Sequence, residues 1–385
     1  MAARVIHLQE RGFDIKLVNE AVSALRNGAL VVLPTETVYG IAVRADDQTA
    51  VKHLMAAKNR PEKNPFTLAF SSIKRFLPYT PQLSVMAERL ARRCFPGPVT
   101  LVLNADMPES EVHHLPKEVL RFIMPEDSIG IRIPRHEFTL QVLENADFPI
   151  ALTSANLSGQ VDSTSGQEVM NVLGDKVDWI FDDGASVLKQ ASTVIQFTGN
   201  SNIFQILREG AVSSAQLKRL SQPLILFVCT GNTCRSPMAE VIARDILARK
   251  YSFPQETFES QTGISICSAG ICANDFSPAS EYSRRAVKAM GLDLDSHISQ
   301  PVTHRLLEYA DFIYVMTPAH QRQILSVVPE IAHKVFTLAR FSGGIPDPFG
   351  NAPEVYEACA HQIRDELEKE FSDSEFKKIL FTGQI

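Results

Sequence analysis

Cys229-Thr-Gly-Asn-Thr-Cys-Arg-Ser236 follows the apolar run Leu224-Ile-Leu-Phe-Val228 and runs into Pro237. The run reads as a buried strand, and the proline suits the first turn of a helix, so strand, tight turn and helix start fall in one line. A cysteine and an arginine separated by five residues let the intervening backbone N–H groups wrap a tetrahedral oxyanion. The helix N-terminus and the Arg235 guanidinium then complete the anion site. Attack by sulfur on a phosphorus that carries negative oxygens needs such donors, both for the sulfur anion and for the charge that develops during transfer. Transfer also requires a proton for the leaving group. Asp347, in Gly343-Gly-Ile-Pro-Asp-Pro-Phe-Gly350, is the candidate acid: two prolines fix its backbone and glycines let the loop approach. Taken alone, Asp-Pro is an ordinary turn dipeptide.

Several separated motifs make residues from about Leu224 to Phe371 resemble a low-molecular-weight protein tyrosine phosphatase. They are the loop itself, Ser268-Ala-Gly270, Ala310-Asp311 before Phe312-Ile-Tyr-Val-Met316, and the Asp347-Pro-Phe-Gly350 segment. The resemblance implies a small doubly wound parallel-sheet α/β domain. It implies Cys229 as nucleophile through a phosphocysteine, Arg235 as phosphate clamp and Asp347 as general acid. Ser236 would hydrogen-bond the sulfur, and Asn232, a residue tolerant of left-handed backbone angles, would hold the loop. Thr233 stands where tyrosine-directed members carry a larger aliphatic side chain, which is similar to the bacterial protein-arginine phosphatases; Phe349 fits the same reading. Cys234 would form a protective disulfide with Cys229. Phosphotyrosine, a nucleotide or pyrophosphate stay open as substrates, as does a phosphoprotein-binding role without catalysis.

The rest of the chain asks for a second core. It has 385 residues, 38 basic against 44 acidic, and a net charge of −6, which gives no overall nucleic-acid footprint. Six cysteines without regular spacing point to a reducing compartment, and no apolar run reaches membrane-spanning length, so the expected location is cytoplasmic with no membrane partner. We divide the chain into residues 1–212, a linker 213–223, and residues 224–385.

The N-terminal part alternates helix and strand. Arg4-Val-Ile-His-Leu8 reads as a strand, Asp14 to Arg26 as a helix stopped by Gly28, and Ala29-Leu-Val-Val-Leu33 as a strand that delivers Pro34-Thr-Glu-Thr-Val-Tyr-Gly40 into a loop. A second helix from about Asp47 ends in Lys58-Asn-Arg-Pro61. Phe95-Pro-Gly-Pro98 turns into a strand, and Ile129-Gly-Ile-Arg-Ile-Pro134 is a strand with an arginine inside it. Such an arginine is costly to bury unless an anion pairs with it.

These positions, with Thr153-Ser-Ala-Asn-Leu-Ser-Gly159, Ser192-Thr-Val194 and Leu207-Arg-Glu-Gly210, resemble the YrdC or TsaC type of threonylcarbamoyl-adenylate synthase from about Asp14 to Val212. The implied fold is a twisted α/β sheet with a concave cleft. The implied reaction joins L-threonine, bicarbonate and ATP, with Mg2+, into threonylcarbamoyl-AMP and pyrophosphate, for proteins that modify tRNA at adenosine 37. Thr37, Arg132, Ser154 and Ser192 would hold threonine; Lys58, Arg60, Asn156, Thr164 and Arg208 would hold the nucleotide. The histidine that many longer relatives carry after the Lys-x-Arg motif is absent, since Pro65-Phe-Thr-Leu-Ala69 stands there. No resident metal motif is present. The rival reading is an RNA-binding module, which would need aromatic or additional basic residues around the cleft.

Overall fold

The computed structural model describes residues 2–8, 14–59, 64–199, 201–274 and 276–372, and the chain divides into two units, Met1–Leu220 and Ser221–Ile385. In the first, the described strands are β1 (Arg4–His7), β2 (Val31–Leu33), β3 (Gly40–Arg44), β4 (Thr67–Ala69), β5 (Val99–Asn104), β6 (Ser128–Arg132), β7 (Ile150–Ser154), β8 (Trp179–Asp182), β9 (Thr193–Phe197) and β10 (Phe204–Arg208). They form one mixed sheet in the order β1-β8-β2-β3-β7-β4-β6-β5-β9-β10. Alternation along β2 explains why helices cover both faces. Val31 and Leu33 pack with Leu17, Val18 and Leu25 of helix Ile15–Arg26, whereas Leu30 and Val32 belong to a second core with Val51 and Leu54 of helix Gln48–Lys58. Asp14 caps the first helix through the Lys16 N–H at 2.8 Å, and Asp47 caps the second.

One element differs from expectation. Residues 40–44 are strand β3, antiparallel to both β2 and β7, so the expected loop ends at Tyr39. Fully buried Ile41, Ala42 and Val43 give that strand its reason. The stretch 213–223, read as a linker, contains helix Ser214–Ser221, whose Leu217 is buried in the first unit's core.

The second unit holds β11 (Leu224–Cys229), β12 (Ser265–Gly270), β13 (Phe312–Val315) and β14 (Val335–Thr337), all parallel, in the order β12-β11-β13-β14. Both faces of β11 are dry. Ile225, Phe227 and Cys229 face a core shared with helices Arg235–Lys250 and Pro353–Glu370; Leu226 and Val228 face another with Ile324 of helix Pro318–Val327. That is why the sequence reads as a continuous apolar run rather than an alternation. Strands β12 and β13 lie on opposite sides of β11, so the carboxyl end of β11 opens at a switch point, the place where such sheets bind ligands. Among the described residues no helix is long and apolar enough to cross a membrane.

Two candidate active sites

The loop after β11 curls as its sequence requires. Cys229 ends the strand and is buried; its Sγ lies 3.0 Å from Ser236 Oγ and accepts the Asn232 backbone N–H at 3.3 Å. Asn232 has φ of +54°. Its side chain fixes that conformation: Nδ2 donates to Ser236 Oγ at 3.0 Å and to Ser268 Oγ at 2.9 Å, while Oδ1 accepts the Gln300 N–H at 2.9 Å. Ser268 in turn donates to Glu240 at 2.7 Å. Helix Arg235–Lys250 starts at the loop, and Cys234 at its cap makes no side-chain capping bond, so the first turn's N–H groups face the loop.

A cavity of about 230 Å³ opens over Cys229, lined also by Thr233, Cys234, Arg235, Asp347 and Phe349. Arg235 Nη2 lies 2.5 Å from Asp347 Oδ2, and Nη1 donates to Ile345 O at 3.3 Å. The guanidinium is buried, the carboxylate about half exposed. Arg235 Nε is buried with no hydrogen-bond partner among the described residues, a donor that an anionic oxygen would satisfy. Burial pushes the Cys94, Cys267 and Cys359 thiols up to about 12, which keeps these three protonated and unreactive. All six cysteines are free, including Cys229 and Cys234; the Cys234 Sγ contacts Ser280 Oγ at 3.4 Å.

Gly270 pairs with Cys229 across the β11–β12 ladder, and a Cβ there would sit 2.7 Å from Thr230 O and 2.8 Å from Asn232 N. The loop backbone needs that space. Gly270→Ala is therefore expected to destabilise the second unit by about 1–3 kcal/mol and to lower its catalytic activity; unchanged melting and turnover would contradict this packing.

In the first unit, the carboxyl end of β6 and the starts of β3 and β9 border a cavity of about 460 Å³. Arg132, Ser154, Ser192 and Arg208 line it. Arg132 Nη2 donates to Thr37 Oγ1 at 2.5 Å and to Glu36 Oε1 at 3.3 Å, and Glu36 Oε2 accepts the Arg135 N–H at 2.9 Å. Burial pulls the Arg132 guanidinium below the ordinary arginine range, with Glu36 opposing that pull. Its Nε also lacks a partner among the described residues. Arg208 Nη2 donates to Ser192 O at 2.9 Å and Oγ at 3.2 Å, and Ser192 Oγ lies 3.0 Å from Thr100 Oγ1. Lys58 is buried; its Nζ donates to Ser154 O and, at 3.0 Å, to Asn156 Oδ1, which also accepts from Ser154 Oγ at 2.7 Å.

Arg132, Ser154, Ser192 and Arg208 thus share one cavity lining, to which Thr37 is bonded through Arg132, and Lys58 and Asn156 through Ser154. Thr164 does not join it: its N–H and hydroxyl bind Glu168 at 2.6 and 3.1 Å, ahead of helix Gly166–Leu173. Arg60 lies outside the described residues. Sequence reading missed Glu36, although a buried arginine demanded an anion and Glu36 stood next to Thr37. It also missed Tyr39, whose hydroxyl donates toward Asp182 and Gly184 at 2.9 and 2.7 Å and so ties the loop to β8.

The sequence profile of the Sua5/YciO/YrdC family, described as telomere recombination, matches residues 23–210. That of low molecular weight phosphotyrosine protein phosphatase matches residues 224–378. Threonylcarbamoyl-AMP synthase of Pyrococcus abyssi is 35% identical over 216 residues, covering 56% of this chain and 60% of the relative. Protein-arginine-phosphatase of Bacillus subtilis is 36% identical over 149 residues, covering 38% of this chain and 89% of the relative. A solved structure of a double variant of P. abyssi Sua5 aligns with a TM-score of 0.50 and 26% identity, over 69% of this chain and 91% of that one. The chain belongs to both families, joining a Sua5/YciO/YrdC domain to a low-molecular-weight phosphatase domain. It spans about three fifths of the archaeal synthase's length.

Proposed function

We propose that the chain is a bifunctional enzyme: a threonylcarbamoyl-AMP synthase in its first unit and a protein-arginine phosphatase in its second. For the synthase, the supporting observation is the convergence of Arg132, Ser154, Ser192 and Arg208 on one cavity. Threonine, bicarbonate and ATP are all anionic or carry anionic groups, so fixed cations and hydroxyl donors must gather them. Arg132, Thr37, Ser154 and Ser192 hold threonine; Lys58, Asn156 and Arg208 serve the nucleotide side. The threonine nitrogen bonds to the bicarbonate carbon with loss of water. An oxygen of the resulting carbamate attacks the α-phosphorus, and pyrophosphate leaves. Among the described residues no group of three His, Cys, Asp or Glu is placed to hold a metal. Mg2+ would enter with ATP and offset the charge of its phosphates. The product then serves proteins that modify adenosine 37 of tRNA. Incubating the chain with ATP, Mg2+, bicarbonate and labelled threonine tests this; pyrophosphate without threonylcarbamoyl-AMP would count against it.

For the phosphatase, the supporting observation is Cys229 at the base of a cavity whose rim carries Arg235 and Asp347. Cys229 Sγ attacks phosphorus, the P–N bond of phosphoarginine breaks, and Asp347 protonates the departing nitrogen. Water then attacks the phosphocysteine, giving its proton back to Asp347 and releasing phosphate. Thr233 lines the cavity beside the nucleophile, leaving space for a planar guanidinium. Thr233→Ile is expected to move the ratio of kcat/KM for phosphoarginine over phosphotyrosine toward phosphotyrosine by about tenfold or more, the effect of one or two methylenes in a pocket. A phosphotyrosine preference in the unmodified chain would instead leave the tyrosine-phosphatase reading standing, and pyrophosphate as best substrate would point to the synthase's own product.

A further inference from the structure

His320 has no part in the chemistry above, yet it lies against it. Its buried imidazole is held between two hydroxyls: Nε2 is 2.9 Å from Thr230 Oγ1, and Nδ1 is 2.8 Å from Thr317 Oγ1. Thr317 caps helix Pro318–Val327, accepting the His320 backbone N–H at 3.4 Å. Thr230, the second residue of the catalytic loop, accepts from Arg235 Nη2 at 3.5 Å. Either neutral tautomer satisfies these contacts. With the proton on Nδ1, the Thr230 hydroxyl donates to Nε2 and keeps its lone pairs for Arg235, while Nδ1–H donates to Thr317.

The loop carrying Asp347 rests on the same floor. The Ile345 N–H donates to Met316 O at 2.7 Å, and Gly344, with φ of +97°, sits where a Cβ would fall 2.5 Å from Met316 O and 2.9 Å from Thr317 Cα. Arg235 Nη1 reaches Ile345 O of that loop. His320 therefore ties Thr230 of the phosphate loop, which Arg235 contacts, to Thr317, which lies under Gly344 of the acid's loop.

We propose that His320 is a positioning residue of the phosphatase: as a neutral acceptor it turns the Thr230 hydroxyl so that its lone pairs steady Arg235 for the phosphate. The proposal rests on the phosphatase reading. The charged groups facing His320 are Arg235, from helix Arg235–Lys250, and Asp347, from the 343–350 loop. Burial first, then Arg235, hold the imidazole below the ordinary histidine range, against the smaller pull of Asp347. Protonation makes both ring nitrogens donors. The ring then donates to Thr230 and sets a positive charge facing Arg235, so activity that depends on this contact falls as pH drops through the imidazole's lowered titration.

The test uses the full chain, para-nitrophenyl phosphate as substrate, and thermal melting as the fold control. H320A is expected to lower kcat about tenfold, with a smaller change in KM, as for a misplaced catalytic group. T230V should match it, and the double variant should be no worse than either, since the two side chains act as one unit. H320Q, which keeps an acceptor that does not titrate, should recover most of kcat and lose the acid limb contributed by His320. If H320A does not melt cooperatively, H320Q and T230V carry the comparison. Wild-type kcat and pH profile in H320A or T230V, additive losses in the double variant, or H320Q as impaired as H320A while melting like wild type would overturn the proposal alone. An unmodified chain inactive on the ester removes the phosphatase reading and the proposal with it.

Discussion

Cys229→Ser is expected to abolish phosphate release from phosphoarginine while threonylcarbamoyl-AMP forms at the unmodified rate. The loop holds the attacking atom with Ser236 Oγ at 3.0 Å and the Asn232 N–H at 3.3 Å, donors placed for a sulfur anion. A serine hydroxyl does not ionise near neutral pH and finds no general base among these contacts, so the same geometry holds an unreactive alcohol. Asp347→Asn should leave the nucleophile intact and still lower turnover by about 10²–10⁴, the range for losing a positioned acid. The resting ion pair sharpens that expectation. Asp347 Oδ2 sits 2.5 Å from Arg235 Nη2, so an arriving phosphate that takes the guanidinium frees the carboxyl beside the leaving group. Phosphate release and threonylcarbamoyl-AMP measured on the same preparations decide it. A C229S chain that still releases phosphate would place the nucleophile elsewhere, and one that loses synthesis would show that Cys229 matters to the first unit.

Locality determines how much of this was readable beforehand. The loop after β11 is a continuous segment in which strand, turn, cysteine, arginine and helix start occupy fourteen successive positions, Leu224 to Pro237. Its support is not local. Ser268 and Gln300 reach Asn232 from 36 and 68 residues away, and His320 reaches Thr230 from 90. Those partners follow from the parallel register of β11 with β12 and β13, which no pattern in the sequence displays. In the first unit the buried arginine of β6 announced the need for an anion, but Glu36 meets it across 96 residues, brought there by a long-range sheet order. Strand β3 escaped notice because Gly40-Ile-Ala-Val-Arg44 is short and apolar directly after turn-forming residues; its partners β2 and β7 decide the matter. Thr164, which the resemblance alone placed on the nucleotide side, is bonded to Glu168 before the next helix.

Arg132→Ala is expected to fail in two separable ways. The guanidinium lines the cavity, donates to Thr37, and retains a buried Nε–H without a partner among the described residues; deleting it removes a fixed donor for a substrate anion. Loss of one such preorganised donor lowers the rate by about 10²–10³. The second failure is structural. Glu36 is buried, and its Oε1 partner disappears, leaving among the described residues only the Arg135 N–H on Oε2. Breaking a buried ion pair from one side costs about 3–5 kcal/mol because the remaining charge is uncompensated. The surviving Arg135 contact puts the expectation at the lower end of that range. Adding Glu36→Gln to Arg132→Ala removes the orphaned charge, so the double variant should melt closer to the unmodified chain than Arg132→Ala does. It should form no more threonylcarbamoyl-AMP. Activity that returns together with stability would mean that Arg132 serves only to neutralise Glu36. Stability that returns without activity would assign the guanidinium to the substrate.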